Sequence, residues 1–116
     1  MLSKYFSLSE MTCHCGCGEC HMDQNFLDIM DQIREDVGEA LGVVSGYRCI
    51  KHDNEIHGDG NHPEGKAVDF AAPLSQIRFK IVSAAIRLGI KRMGIAKTFI
   101  HIDTVAEHPQ NCIWLY

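Results

Sequence analysis

Two imidazoles and one carboxylate form a set of side chains with the chemistry of a metal site. His62 lies in a loop rich in glycine, asparagine and aspartate, and Asp69 follows seven residues later in an apolar run. His101 lies far downstream, where apolar and polar residues alternate. Two histidines and one carboxylate are a sufficient protein ligand set for a catalytic Zn²⁺, whose fourth position is left to water. The sequence therefore predicts a zinc site made by these three residues.

Two predicted strands must bring these side chains together. Residues 66–71 alternate as a strand in which Asp69 shares one face with small alanines, and residues 98–105 alternate so that His101 shares a face with Asp103. If the two strands are neighbours, Asp69, His101 and Asp103 converge. A cation would offset the cost of an unpaired carboxylate there. The spacing alone also allows a strand-end carboxylate and an ordinary core or surface histidine.

The remaining pattern predicts two main helices and a small sheet. Asp23 caps a helix whose apolar residues recur from Phe26 to Leu41, and Gly42 ends it. A second helix is predicted over residues 73–88, with Ser75 as its cap. Shorter elements are predicted as a helical turn over 7–11, a strand over 43–45, a helix over 49–56, strands over 93–96 and 98–105 as a hairpin, and a terminal edge strand over 113–116. This order indicates the α+β class, with two main helices packed on a small, mostly antiparallel sheet.

The composition is typical of a single globular domain over residues 1–116. Of these residues 46% are hydrophobic and 22% charged, which suffices for a core of its own. A formal net charge of -4 argues against nucleic-acid binding, which uses a basic face. No apolar run approaches the roughly 20 residues of a membrane span, and no signal peptide is evident. We expect a monomer that is cytoplasmic as synthesised, with no nucleic-acid or membrane partner.

Six cysteines are many for such a chain, and four of them fall in the Cys-rich loop of residues 12–21. Without a secretory signal, metal binding or reduced thiols are favoured over a disulfide framework. We predict a second, structural metal site from Cys15 and Cys20 with Cys49 or a histidine. The alternative is that Cys13 and Cys49 merely pack or pair. A redox dithiol is disfavoured, because Cys17 and Cys20 do not sit at a helix start.

Three short motifs follow one another along the chain: Ser45-Gly46-Tyr47-Arg48, His62-x-x-Gly65-x-Ala67-x-Asp69 and His101-x-Asp103. In this order they resemble the motifs of the zinc D-alanyl-D-alanine carboxypeptidases and of the phage endolysin (L-alanyl-D-glutamate) peptidases. These families share a fold with the amino-terminal signalling domain of hedgehog proteins. The resemblance runs over residues 6–104. It implies that His62, Asp69 and His101 bind zinc.

The resemblance also implies how substrate and protons are handled. Arg48 would pair with a substrate carboxylate or polarise the scissile carbonyl, with Tyr47 beside it, since a guanidinium suits carboxylate recognition. Several relatives place an acidic residue three positions before the last ligand, where this chain has Thr98. Others use a histidine two residues from that ligand, where this chain has Asp103. Asp103 is therefore the predicted general base or ligand-orienting group, and Glu64 is the reserve.

The resemblance thus implies a zinc peptidase that cleaves the stem or cross-link peptides of bacterial peptidoglycan. Such an enzyme, without a signal peptide, would reach the wall through a phage holin or within a virion, and no separate wall-binding domain is predicted. The alternative is a non-catalytic, zinc-containing binding or virion structural module on the same fold, as the hedgehog relationship allows. The absence of an acidic residue at Thr98 favours this alternative, while Arg48 and Asp103 favour the enzyme.

Overall fold

The structure is a computed structural model that describes residues 1–116. Its α-helices are α1 (Leu8–Met11), α2 (Gln24–Val37), α3 (Ile50–Glu55) and α4 (Ser75–Arg87), and residues His62–Glu64 form one turn of 3₁₀ helix. Its strands are β1 (Val43–Ser45), β2 (Ala67–Ala71), β3 (Arg92–Ile95), β4 (Phe99–Asp103) and β5 (Cys112–Leu115). This confirms the predicted α+β class.

The five strands form one sheet in the order β1-β2-β4-β3-β5. All neighbours are antiparallel except β3 and β5, which are parallel, so the predicted hairpin of β3 and β4 and the predicted edge strand β5 are both confirmed. The register of β2 and β4 places Asp69 opposite His101 and Ala67 opposite Asp103. The two strands that carry most of the predicted metal chemistry are therefore hydrogen-bonded neighbours.

The two faces of the sheet differ in chemistry. Val68 and Phe70 of β2 join Ile100 and Ile102 of β4 in the main core, which the apolar faces of α2 and α4 complete. Because side chains alternate along a strand, Asp69, His101 and Asp103 point to the opposite face. No helix in the structure has the length and apolar character needed to cross a membrane.

Local capping explains where most helices begin. The Asp23 side chain accepts a hydrogen bond from the Phe26 amide at the start of α2, as predicted. Two predicted boundaries are wrong. Helix α2 ends at Val37 rather than near Leu41, because Gly38 takes a left-handed conformation (φ 81°) four residues before Gly42. The N-cap of α4 is Leu74, which makes no side-chain capping bond, and Ser75 is the first helical residue.

Candidate metal centre

The three predicted ligands meet on the face of the sheet that is opposite the main core. His62 comes from the 3₁₀ turn, Asp69 from β2 and His101 from β4, and each is less than 10% exposed. His101 Nδ1 lies 2.8 Å from Asp69 Oδ1, and His62 Nε2 lies 3.4 Å from Asp69 Oδ2. One ligand atom from each residue lies within 4.8 Å of the other two. This donor set and its spacing fit a single Zn²⁺.

Hydrogen bonds behind the histidines fix which nitrogen faces the centre. His62 Nδ1 lies 2.8 Å from the Gly46 carbonyl oxygen, so Nδ1 donates a proton to that oxygen and Nε2 is the nitrogen that faces Asp69. His101 Nε2 lies 2.7 Å from Asp103 Oδ2, which leaves Nδ1 toward Asp69. A carboxylate behind a histidine ligand is the usual outer-shell arrangement of zinc sites.

Asp103 is itself held by two further donors. Its Oδ1 accepts hydrogen bonds from Arg92 Nε at 2.7 Å and from the Val105 amide at 3.1 Å. Both oxygens of this buried side chain are therefore engaged, and Asp103 does not line the neighbouring cavity. This geometry suits the ligand-orienting role and leaves no oxygen free for a general base.

The charges of the centre depend on one another. Burial alone would raise the pKa of Asp69, but hydrogen bonds from His101 and His62 lower it to about 2. Burial would lower the pKa of His101, but hydrogen bonds to Asp103 and Asp69 raise it to about 9. Burial opposes ionisation of Asp103 as well, yet bonds from His101 and Arg92 lower its pKa. Two buried carboxylates thus draw positive charge onto His101, where a bound cation would replace the proton.

A cavity of about 390 Å³ opens beside the ligands. His62 and Asp69 line it together with Arg48, as the motif predicts. Arg48 Nη1 donates to Asp53 Oδ1 at 2.7 Å and Nη2 donates to Ser45 Oγ at 3.1 Å. Because these bonds use only part of the guanidinium, its remaining N–H groups are available to a ligand.

Two other predicted site residues lie away from this cavity. Tyr47 is buried in a small cluster with Cys13 and Cys49 and does not line the cavity. Glu64 is exposed in the 3₁₀ turn and does not line the cavity. The structure therefore does not bring the Tyr47 or Glu64 side chains to the cavity.

Other side chains on the cavity wall carry no predicted role. His57 and Asp59 come from the loop before His62, and Phe99 and Tyr116 come from the sheet. The sequence did contain a signal for Asp59, because it lies in the same loop as the predicted ligand His62, three residues before it. Tyr116 had none, since only the parallel pairing of β5 with β3 brings it to the site.

The structure brings together only part of the predicted cysteine set. Cys15 and Cys49 do come together, but Cys13 and Cys17 join them, and one Sγ from each of the four lies within 4.8 Å of the others. Cys20 is outside this set, because its Sγ points to the Met11 carbonyl oxygen at 3.5 Å. All six cysteines are free, so Cys13 and Cys49 pack together without a disulfide.

Comparison with known proteins identifies the class of this fold and site. Residues 4–103 match the family model described as Peptidase M15. The chain belongs to the peptidase M15 family, which is a family of zinc-dependent metallopeptidases. No curated protein matches the sequence. The family match confirms the metallopeptidase class that the three motifs suggested, and the His62, Asp69 and His101 centre supplies a ligand set suited to its metal.

Proposed function

We propose that this chain is a zinc-dependent peptidase that hydrolyses a peptide bond in the stem or cross-link peptides of bacterial peptidoglycan, as an endolysin-like or D,D-carboxypeptidase-like enzyme. The observation that carries the proposal is that Arg48 shares one cavity with His62 and Asp69, two of the three residues whose ligand atoms meet at the candidate metal centre. A cation site beside a cationic side chain suits a peptide substrate that has a carboxylate near its scissile bond. The wall would be reached after holin release or from a virion.

His62, Asp69 and His101 would hold the metal. When bound, zinc lowers the pKa of a water molecule toward neutrality and polarises the carbonyl of a peptide bond. His62 is oriented for binding by the Gly46 carbonyl, and His101 by Asp103. Asp103 therefore acts as a positioning residue, which fixes the tautomer and ring angle of a ligand.

Arg48 would orient the substrate. Its contacts with Asp53, which is 3% exposed, and Ser45 hold the guanidinium at the cavity wall. A fixed guanidinium pairs with a carboxylate through two parallel N–H bonds and so places the peptide in one orientation. Stem peptides of peptidoglycan contain such free carboxylates, which supports this substrate class over neutral peptides.

Proton transfer falls to side chains that face the cavity. His57 and Asp59 line it, whereas Asp103 is fully engaged and Glu64 lies outside. A general base must be within hydrogen-bond reach of the proton it removes, directly or through one water. We therefore assign the proton-transfer role to this pair of loop residues.

A non-catalytic zinc-containing binding or virion structural module on the same fold is the second candidate. It is favoured by the exposed Thr98 at the position where relatives carry an acid, and by the engagement of both Asp103 oxygens. Such a module would bind peptidoglycan fragments through Arg48 and leave them intact.

The test is the release of peptidoglycan fragments by the wild type and by His101→Ala, with zinc content measured on the same samples. Loss of one zinc and of fragment release in the variant is the expected result. Asp36→Asn serves as a control, because Asp36 of α2 is exposed, pairs with Arg87 of α4 and does not line the cavity. A zinc-loaded wild type that binds fragments without cleaving them would support the binding module instead.

A further inference from the structure

Four cysteines form a second group of side chains that could hold a metal ion. Cys13, Cys15 and Cys17 come from the Cys-rich loop, and Cys49 is the N-cap residue of α3. Their four Sγ atoms lie within 4.8 Å of one another. Cys13 and Cys49 are buried, while Cys15 and Cys17 are exposed on the rim. None of these thiols belongs to the cavity beside His62 and Asp69.

The sulfur separations match tetrahedral coordination. The Sγ atoms of Cys13 and Cys15 are 3.5 Å apart, and those of Cys15 and Cys49 are 3.7 Å apart. A Zn–S bond of about 2.3 Å gives neighbouring sulfurs about 3.8 Å apart in a regular tetrahedron. A disulfide would need about 2.05 Å. These two separations are thus too long for disulfides and agree with those expected in a four-thiolate metal site, and the other separations are at most 4.8 Å.

Backbone amides already point at three of these sulfurs. The Cys49 amide donates to Cys13 Sγ at 3.3 Å, the His52 amide to Cys49 Sγ at 3.4 Å, and the Glu19 amide to Cys17 Sγ at 3.4 Å. N–H···S bonds of this kind stabilise thiolate ligands from the outer shell. Gly16 between Cys15 and Cys17 has a φ of 92°, a conformation that lets the loop turn back so that both sulfurs face Cys49.

We propose that Cys13, Cys15, Cys17 and Cys49 bind a structural Zn²⁺ in a closed, tetrahedral site that is separate from the peptidase metal. On binding, the four thiols form four S–Zn bonds and release their protons to solvent. With four protein ligands no position is left for water, so this ion stabilises structure and does not catalyse.

The position of the site indicates what the ion stabilises. Cys49 directly follows Arg48, and Asp53, the partner of Arg48, lies in the helix that Cys49 caps. The ion therefore ties the Cys-rich loop to the segment that presents Arg48 to the cavity. This loop contains no helix or strand, and one of its few backbone bonds runs from the Cys13 amide to the Glu19 carbonyl at 2.9 Å.

Zinc content of the protein purified under reducing conditions tests the proposal. We expect two zinc ions per chain in the wild type, one in Cys17→Ser and two in Cys20→Ser. Cys17 is exposed, so its substitution spares the core, and Cys20 is a matched control from the same loop that lies outside the set. With cobalt in place of zinc, the thiolate charge-transfer absorption should disappear in Cys17→Ser and remain in Cys20→Ser.

Asp69→Asn separates this proposal from the proposed function. A protein that keeps one zinc in Asp69→Asn and loses the other in Cys17→Ser supports two independent sites. Equal zinc contents in Cys17→Ser and Cys20→Ser would overturn the cysteine site whatever the enzyme does. Rapid reaction of the exposed Cys15 and Cys17 thiols with a thiol reagent in the zinc-loaded wild type would overturn it as well, as would iron in place of zinc.

Discussion

The histidine centre and the cysteine cluster place their ligand atoms equally close together but by different means. His101 and Asp69 are paired across two strands, and every member of that centre is buried. The cysteine cluster relies on an irregular loop and one helix cap, and two of its thiols are exposed. We expect a centre built on a sheet to keep its geometry without metal, and a cluster built on a loop to gain order when it binds an ion. The comparison thus contrasts a preorganised candidate metal centre with a proposed metal-dependent structural site.

The largest effect is expected for Asp69→Asn. The amide is nearly isosteric but lacks the charge that would hold a cation between His62 and His101. The metal would stabilise the transition state by several kcal/mol, so its loss should lower kcat/KM about 1,000-fold or more. Steady-state hydrolysis of a stem peptide provides the measurement. Activity within tenfold of the wild type would show that Asp69 is not a ligand.

Gly65→Ala should disrupt the contact between the turn that carries His62 and the Cys-rich loop. Gly65 follows the 3₁₀ turn of His62 with φ 72°, and an added Cβ would come within 2.0 Å of the His21 carbonyl oxygen at the end of the Cys-rich loop. We expect the free energy of unfolding to fall by about 2–5 kcal/mol, from left-handed strain plus overpacking. Urea denaturation measures it.

Gly38→Ala is the matched control for this substitution. Gly38 also has a positive φ, of 81°, but an added Cβ would meet nothing within 4 Å. Only the left-handed strain of about 1–2 kcal/mol should appear. Equal losses in the two variants would mean that the contact between Gly65 and His21 contributes nothing.

Asp103→Asn distinguishes a positioning residue from a general base. The variant weakens the bond that orients His101, so zinc affinity should fall about 10–100-fold. Excess zinc should then restore most of the activity. A lasting deficit in kcat at saturating zinc, with unchanged zinc affinity, would instead identify Asp103 as the base. Zinc titration followed by assay gives both quantities.

The smallest effect is expected on amide exchange after zinc removal by a chelator. The amides of Cys13 and Cys49 should exchange about tenfold faster, which corresponds to about 1.4 kcal/mol of local opening free energy. Amides within the β2–β4 ladder should change little, because their hydrogen bonds belong to the sheet. Equal acceleration in both regions, measured by mass spectrometry, would contradict the contrast between them.

The sequence predicts what depends on local periodicity. Alternation along β4 correctly separates His101 and Asp103 from Ile100 and Ile102, and the Asp23 cap correctly marks the start of α2. Helix ends are predicted less well, because Gly38 and Gly42 are equivalent stop signals and only packing selects between them. The order of the predicted helices and strands was sufficient to predict the fold class.

The sequence pattern could not predict the contacts between irregular segments. Cys20 has the same residue type and loop as Cys17, yet its sulfur turns to Met11 while Cys17 joins the cluster. The roles of Asp103 depend in the same way on Arg92, a partner 11 residues away on another strand. Residue spacing cannot predict which of several chemically equivalent side chains joins a site, because the direction of each side chain depends on the local backbone turns.

The pairing of β2 with β4 has a consequence for the order of folding. Asp69 and His101 are separated by 32 residues, which include the whole of α4 and β3. Their ligand atoms meet only after that long segment has closed and the strands have found their register, and closure of this kind is a late and slow step. The four clustered cysteines, by contrast, all lie within the first 49 residues of the chain. A nascent polypeptide would therefore contain every ligand of the proposed structural zinc site before His101, the last ligand of the proposed peptidase centre, is synthesised.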